Sequence, residues 1–343
     1  MENTDLYTEI DFFVDTLASV PASDNKSMFY NIDRILSSKN DNLFMELIGK
    51  EQYNKSLKMV NDLGKTVEIC KEGMLEIGHK QFIELSKKSR YLNQEAKSYF
   101  NIYYLSGIAY YYYRIGNFEK AIACIFEELG EIEKFESMGV KNLHYKRIGV
   151  MINLIKIYST NNNLDEATQL YLNLLLYLIN GSTQPVDSGK WDAQLLESTP
   201  YIKQRALDLV FMDAINASIT SKNIQTDYLT YYFEKVFSKI PDIEIDNNNQ
   251  AMIWNWLYLQ KLHHEKEYAQ FVKDCLSFLK TEFDNSFDIS KLALLSQIVS
   301  IINKLEIQQE KKSVLHSKIN DFIQTKLVLL QYQKSKICSM LTE

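Results

Sequence analysis

Only four prolines interrupt a chain of 343 residues, and its glycines number eleven. These are about 1% and 3% of positions, against the usual ~5% and ~7%. Sheets joined by tight turns need such residues at each turn, so their scarcity leaves long helices with few connections. Apolar residues make up 46% of the chain, ample for a core. The expected class is soluble and all-α, with room for two average domains or one long array.

Charge narrows the function. The net charge is −6 and no segment concentrates Lys and Arg, whereas nucleic-acid binders carry a basic stripe for the phosphates. Nucleic acid is therefore not the expected partner. Cys70, Cys124, Cys275 and Cys338 are far apart and form no CxxC pair, which reads as scattered reduced thiols rather than a disulfide framework or zinc knuckle. The opening "MENTDLYTEIDFF" is acidic and has no basic region leading into an apolar one, so no signal peptide is read. The most apolar run, Leu170–Ile179, is too short for a membrane span, which needs about 20 residues. The expected compartment is cytoplasmic; a chain whose leader had been removed would read the same.

Helical periodicity recurs along the chain. One helix opens at Thr4 or Asp5 and stops before Pro21, and another follows over 24–38. Two or three helices fill 42–92, with breaks expected near Gly64 and Gly78. Hairpins follow at Glu95–Ile115 with Phe118–Phe135, and at Leu143–Ser159 with Leu164–Ile179. The stretch "NGSTQPVDSGKWDAQLLESTP", Asn180–Pro200, holds two of the prolines and Trp191, and reads as a long loop, a hinge or flap. Helices resume from Tyr201, and a last one is expected over Ser313–Leu341. Its stripe of Leu315, Ile319, Phe322, Ile323, Leu330, Ile337 and Leu341 would cap the final hairpin. The divisions are 1–92, an N-terminal helical region; 93–180, the two matched hairpins; 181–200, the loop; and 201–343, C-terminal hairpins with the capping helix, all in one continuous array.

The run "IAYYYYRIGNFEKAI" (Ile108–Ile122) aligns with "LIKIYSTNNNLDEAT" (Leu154–Thr168) through Ile108/Leu154, Tyr112/Tyr158, Gly116/Asn162, Phe118/Leu164 and Ala121/Ala167. This resembles the tetratricopeptide (TPR) hairpin, whose helices meet across small residues. Ala109 and Ala121 fit that role, while Ile155 stands where the second copy would have a small one. The copies lie 46 residues apart, against a family period of about 34, and the resemblance covers only residues 95–180. It implies a right-handed alpha-alpha superhelix, a TPR-like solenoid of antiparallel hairpins. It also implies a concave groove lined by one stripe of each first helix. That stripe is Tyr103, Ser106, Tyr110, Tyr113 and Arg114, continued by Ile152, Lys156 and Ser159. Successive tyrosines point about 100° apart, so Tyr112 would face the hairpin partner while Tyr104 and Tyr111 meet the preceding helices. The stripe is either a binding groove, tyrosines offering contact area at little entropy cost, or core covered by another segment.

Other features have plain explanations. His263–Glu267 ("HHEKE") shows no third ligand and reads as a solvated turn. Glu127, Glu128, Glu131, Glu133 and Glu136 read as an outer, solvated face. No nucleophile motif, phosphate loop, metal site or cofactor site is recognised. The functional expectation is a non-enzymatic helical-repeat adaptor or regulator that binds a protein or peptide. It would be a monomer, with a homodimer through the C-terminal helix as the alternative. A second functional class is a peptide-sensing regulator resembling the Rap-type response-regulator phosphatases, although no catalytic residue can be placed in 1–92.

Overall fold

The expected helical character holds throughout a computed structural model that describes residues 2–23, 41–181, 185, 191–192, 194–195, 200–220, 228–242, 247–281, 287–329 and 333–334. Among those residues there are fourteen α-helices and two short 3-10 turns, and no strand. The chain forms two compact units, Tyr30–Leu207 and a discontinuous one of Met1–Phe29 with Asp208–Glu343.

The unit Tyr30–Leu207 begins its described part with α2 (41–48). It continues through α3 (Lys50–Lys71), α4 (Leu75–Ser89), α5 (Gln94–Arg114), α6 (Phe118–Ser137), α7 (Leu143–Thr160) and α8 (Leu164–Asn180). The helix boundaries expected over 95–180 fall within two residues of these. Gly64 and Gly78 do not break the chain as expected. Both lie inside helices, and the break is at Gly73, whose φ of 90° is in the left-handed region that favours glycine.

That turn reveals a third copy of the repeated skeleton. Gly73, Gly116 and Asn162 all have positive φ. Each is followed by an amide bonding back five residues, Met74 to Ile69, Asn117 to Tyr112 and Asn163 to Tyr158, at 3.1, 2.9 and 2.9 Å. Two residues on, an apolar residue opens the next helix (Leu75, Phe118, Leu164). Five residues on stands a buried small one (Gly78, Ala121, Ala167). A Cβ on Gly78 would lie 2.2 Å from the Cys70 sulfur, so α3 and α4 cross where only glycine fits. The turn at Lys266 (φ 64°), in the other unit, closes the same way, Glu267 bonding back to Leu262 at 2.9 Å.

In the discontinuous unit, α1 (Glu2–Thr16) buries Leu6, Ile10, Phe13 and Val14 at helical spacing. The unit continues after the last part of α9 (Pro200–Thr220) with α10 (Tyr228–Lys235), α11 (Asn248–His264), α12 (Tyr268–Lys280), α13 (Asp288–Lys304) and α14 (Gln309–Lys326). Helix α1 packs against α12 and α14. Nearly every side chain of α13 is buried, including Gln297, which exchanges amide hydrogen bonds of 2.8 and 2.9 Å with Gln260 of α11. Buried Asp288 accepts from the Ser23 hydroxyl at 2.6 Å, the Val328 amide at 2.7 Å and Lys291 at 3.2 Å.

This carboxylate accounts for a correction. The last helix does not run from Ser313 to Leu341 but ends at Lys326. Leu327 turns to extended backbone with its side chain buried, and the Val328 amide goes to Asp288 instead of a helical carbonyl. Leu315, Ile319, Phe322 and Ile323 are buried as a stripe, on a helix that packs against both α1 and α13. Leu330, Ile337 and Leu341, the helix expected over 24–38 and most of the 181–200 loop lie outside the described residues.

Replacing Gly78 by Ala should destabilise the protein by about 1–3 kcal/mol, the usual cost of overpacking. Urea unfolding measures this, and the cost should shrink in a Cys70→Ala background, because the two side chains compete for one space.

Candidate functional site

The tyrosine run is where the unit's helices meet. Tyr110, Tyr111, Tyr112 and Tyr113 are each half-buried, and each has a different neighbour. Tyr111 stacks on His79 of α4, ring centroids 4.7 Å apart and planes 2° apart. Tyr112 lies under the Lys120 ammonium of α6 at 5.5 Å. Tyr113 bonds Thr160 of α7 at 3.1 Å; because the Thr160 hydroxyl already donates to the Lys156 carbonyl, the phenol is the donor. Tyr110 accepts from Arg114 at 2.7 Å, and the guanidinium lies 5.7 Å from the ring centre. On the preceding turns, Gly107 lies against Leu63, Val67 and Phe82, and the Tyr104 ring sits edge-on to Phe82.

One face of α5 is left to line a cleft of about 570 Å³. Tyr103, Ser106, Gly107, Tyr110 and Tyr113 line its α5 side. Val60, Leu63, Gly64, Val67, Glu68 and Lys71 of α3 line one wall, and Lys146, Asn153, Lys156 and Ile157 of α7 the other. Five of the eight residues expected in the groove are thus together: Tyr103, Ser106, Tyr110, Tyr113 and Lys156. Arg114 is at the edge, where it also reaches the Cys70 carbonyl at 3.5 Å. Ile152 is 4% exposed and does not line the cleft. The Ser159 hydroxyl is buried and has no partner among the described residues. Along α7 the lining runs through Asn153, Lys156 and Ile157, out of phase with the expected Ile152, Lys156 and Ser159. The helix turns its 152–155–159 side inward and packs along α6 and α8.

Beneath the cleft lies a carboxylate that the sequence reading put in solvent. Glu128 is 0% exposed. The Ser106 hydroxyl donates to it, 2.7 Å from either oxygen, and Lys146 stands 3.9 Å away. The Lys146 ammonium also lies 5.5 Å over the Tyr103 ring. Glu136, a second member of the same acidic run, is only 14% exposed and pairs with Arg147, itself 1% exposed. Glu127 and Glu133 do face solvent. The inward positions of α6 are Ala121, Ile125, Glu128, Leu129, Ile132 and Phe135, a spacing of three and four already present in the sequence. Reading the glutamates as a block hid it. Lys71, Lys146 and Asn153 carried no signal without knowledge of how α3 and α7 flank α5.

Arg147 belongs to a second buried cluster. Its guanidinium lies 5.4 Å from the Trp191 ring centre, and Trp191 sits edge-on to His144 and Tyr177. His144 Nε2 and the Tyr177 hydroxyl are 2.7 Å apart. Burial pushes the Tyr177 phenol pKa well above its ordinary value, with Asp192 adding to the shift. Trp191 itself is therefore packed into this cluster.

Burial, with Glu127 and Glu128 nearby, pushes the Cys124 thiol up to about 11, so it is protonated at neutral pH and a poor nucleophile. The Ser106 proton is directed at a carboxylate that also has a lysine beside it. Among the described residues no group of three or more His, Cys, Asp or Glu could hold a metal ion, and no helix is long and apolar enough to cross a membrane. His263 packs against Tyr268 and Phe271. No protein-family model matches the chain, and no curated protein or solved structure does.

Glu128→Ala leaves the Ser106 hydroxyl and Lys146 without this acceptor, and should cost about 1–3 kcal/mol in urea unfolding. Glu127→Ala, one residue away on the exposed side, should stay within about 0.5 kcal/mol. Equal effects would contradict the inward placement of Glu128.

Proposed function

We propose that the protein is a non-enzymatic helical-repeat adaptor or regulator that binds a peptide or an extended segment of a partner protein in the α3–α5–α7 cleft. The observation that carries this reading is the convergence of Tyr103, Ser106, Tyr110, Tyr113 and Lys156 on one cleft. A cleft of this volume takes a few residues of extended chain, and half-buried tyrosines on a rigid helix give contact area with little ordering cost. The three copies of the turn, with Gly73 and Gly116 43 positions apart and Gly116 and Asn162 46 apart, support a TPR-like array. In this reading it continues as a right-handed alpha-alpha superhelix. The protein acts in the cytoplasm as a monomer and has no cofactor.

Selection from an immobilised random octapeptide library tests the reading. Bound peptides should be recovered, and Tyr110→Ala and Tyr113→Ala should each weaken them by about 1–3 kcal/mol while circular dichroism stays unchanged. Peptides that bind both variants as tightly as the parent would place the site elsewhere.

A further inference from the structure

The stripe tyrosines do not face the cleft as bare rings. Tyr103 lies under the Lys146 ammonium and Tyr110 under the Arg114 guanidinium. A ring face attracts a cation through its quadrupole, so at two points along α5 an aromatic residue holds a positive charge in place. Arg114 is fixed a second time by its hydrogen bond to the Tyr110 oxygen. Lys146 is fixed a second time by Glu128 beneath it.

The ionised residues lining the walls have the same sign on balance. Lys71, Lys146 and Lys156 line the cleft against Glu68, which pairs with Lys71 at 2.6 Å. A second carboxylate, Glu128, is under the floor with Ser106 donating to it. Among the described residues that line the cleft, three lysines thus stand against one glutamate, with Arg114 at the edge, in a chain whose net charge is −6. Charges beyond the Debye length of about 8 Å are largely screened at physiological salt. An approaching ligand therefore responds to the local cationic field and not to the acidic whole.

We propose that the cleft takes an acidic peptide segment, its carboxylates received by Lys71, Lys146, Lys156 and Arg114. The inference rests on the peptide-binding reading and adds the ligand's chemistry. Ser106 donates its proton to Glu128, so toward the cleft its oxygen can only accept. Lys146 is a charge-assisted donor held close by. A ligand carboxylate meets Lys146 directly, and a neighbouring backbone amide of the same peptide can donate to Ser106. A basic peptide would instead face four cations and reach Glu128 only by displacing Lys146.

The composition of the library peptides tests this. Recovered peptides should be rich in Asp and Glu, and by fluorescence anisotropy their affinity should fall several-fold as salt rises from about 0.05 to about 0.3 M. The double variant Lys71→Glu, Lys156→Glu changes two exposed positions and should retain its circular dichroism. It should bind these peptides at least about tenfold more weakly and select Lys- and Arg-rich ones instead. Neutral or basic peptides from the parent protein, or acidic peptides that bind the double variant unchanged, overturn the inference while leaving a peptide site in place. Recovery of no peptide at all overturns the peptide-binding reading and this inference with it.

Discussion

A helix with large side chains on every side has to be packed on most of its sides, and α5 is that helix. Its tyrosines cannot share one face, because successive residues point about 100° apart. They are served by α4 at Tyr111, α6 at Tyr112, α7 at Tyr113 and the helix's own Arg114 at Tyr110. A solitary hairpin could not do this. Helices on both sides in sequence are required, and the same turn supplies them before and after: Gly73 joins α3 to α4, Gly116 joins α5 to α6 and Asn162 joins α7 to α8.

Core and cleft are consequently made of the same residues. At α5 the run is neither fully covered core nor bare surface, since every tyrosine in it is half-buried. Each ring has a packed side and an accessible side. The buried carboxylate follows the same logic. Glu128 would be costly alone in the interior, but Ser106 and Lys146 satisfy it from residues that also line the cleft. Altering the cleft chemistry therefore also alters the packing beneath it.

Much of this was legible in the sequence. Scarce Gly and Pro forecast an all-helical chain. The Gly116 and Asn162 turns placed α5 to α8 within two residues, because a left-handed residue followed by an apolar one marks a local event. The Gly73 copy escaped because Lys65 stands where Ile108 and Leu154 do in the others, although Leu75 and Gly78 kept the spacing. Tyr103, Ser106, Tyr110 and Tyr113 were legible because one helix carries them all. The α7 contribution was not. Lys156 was placed, but Ile152 and Ser159 turn inward and Asn153 and Ile157 line the cleft, since the rotation of α7 depends on its packing along α6 and α8. The end of the last helix at Lys326 was hidden for a similar reason: Asp288, 40 positions from Val328, takes the amide that would have continued it.

The central claim is that α5 is the element on which the packing of Tyr30–Leu207 depends, and native-state hydrogen exchange measures it most directly. Amides from Tyr99 to Tyr111, on the segment enclosed by α3, α4 and α6, should exchange only through global unfolding of the unit, with a denaturant dependence equal to the equilibrium one. If α5 instead opens by a smaller, local fluctuation while α3 and α6 stay protected, its tyrosines are a decoration on a core made elsewhere, and the account is wrong.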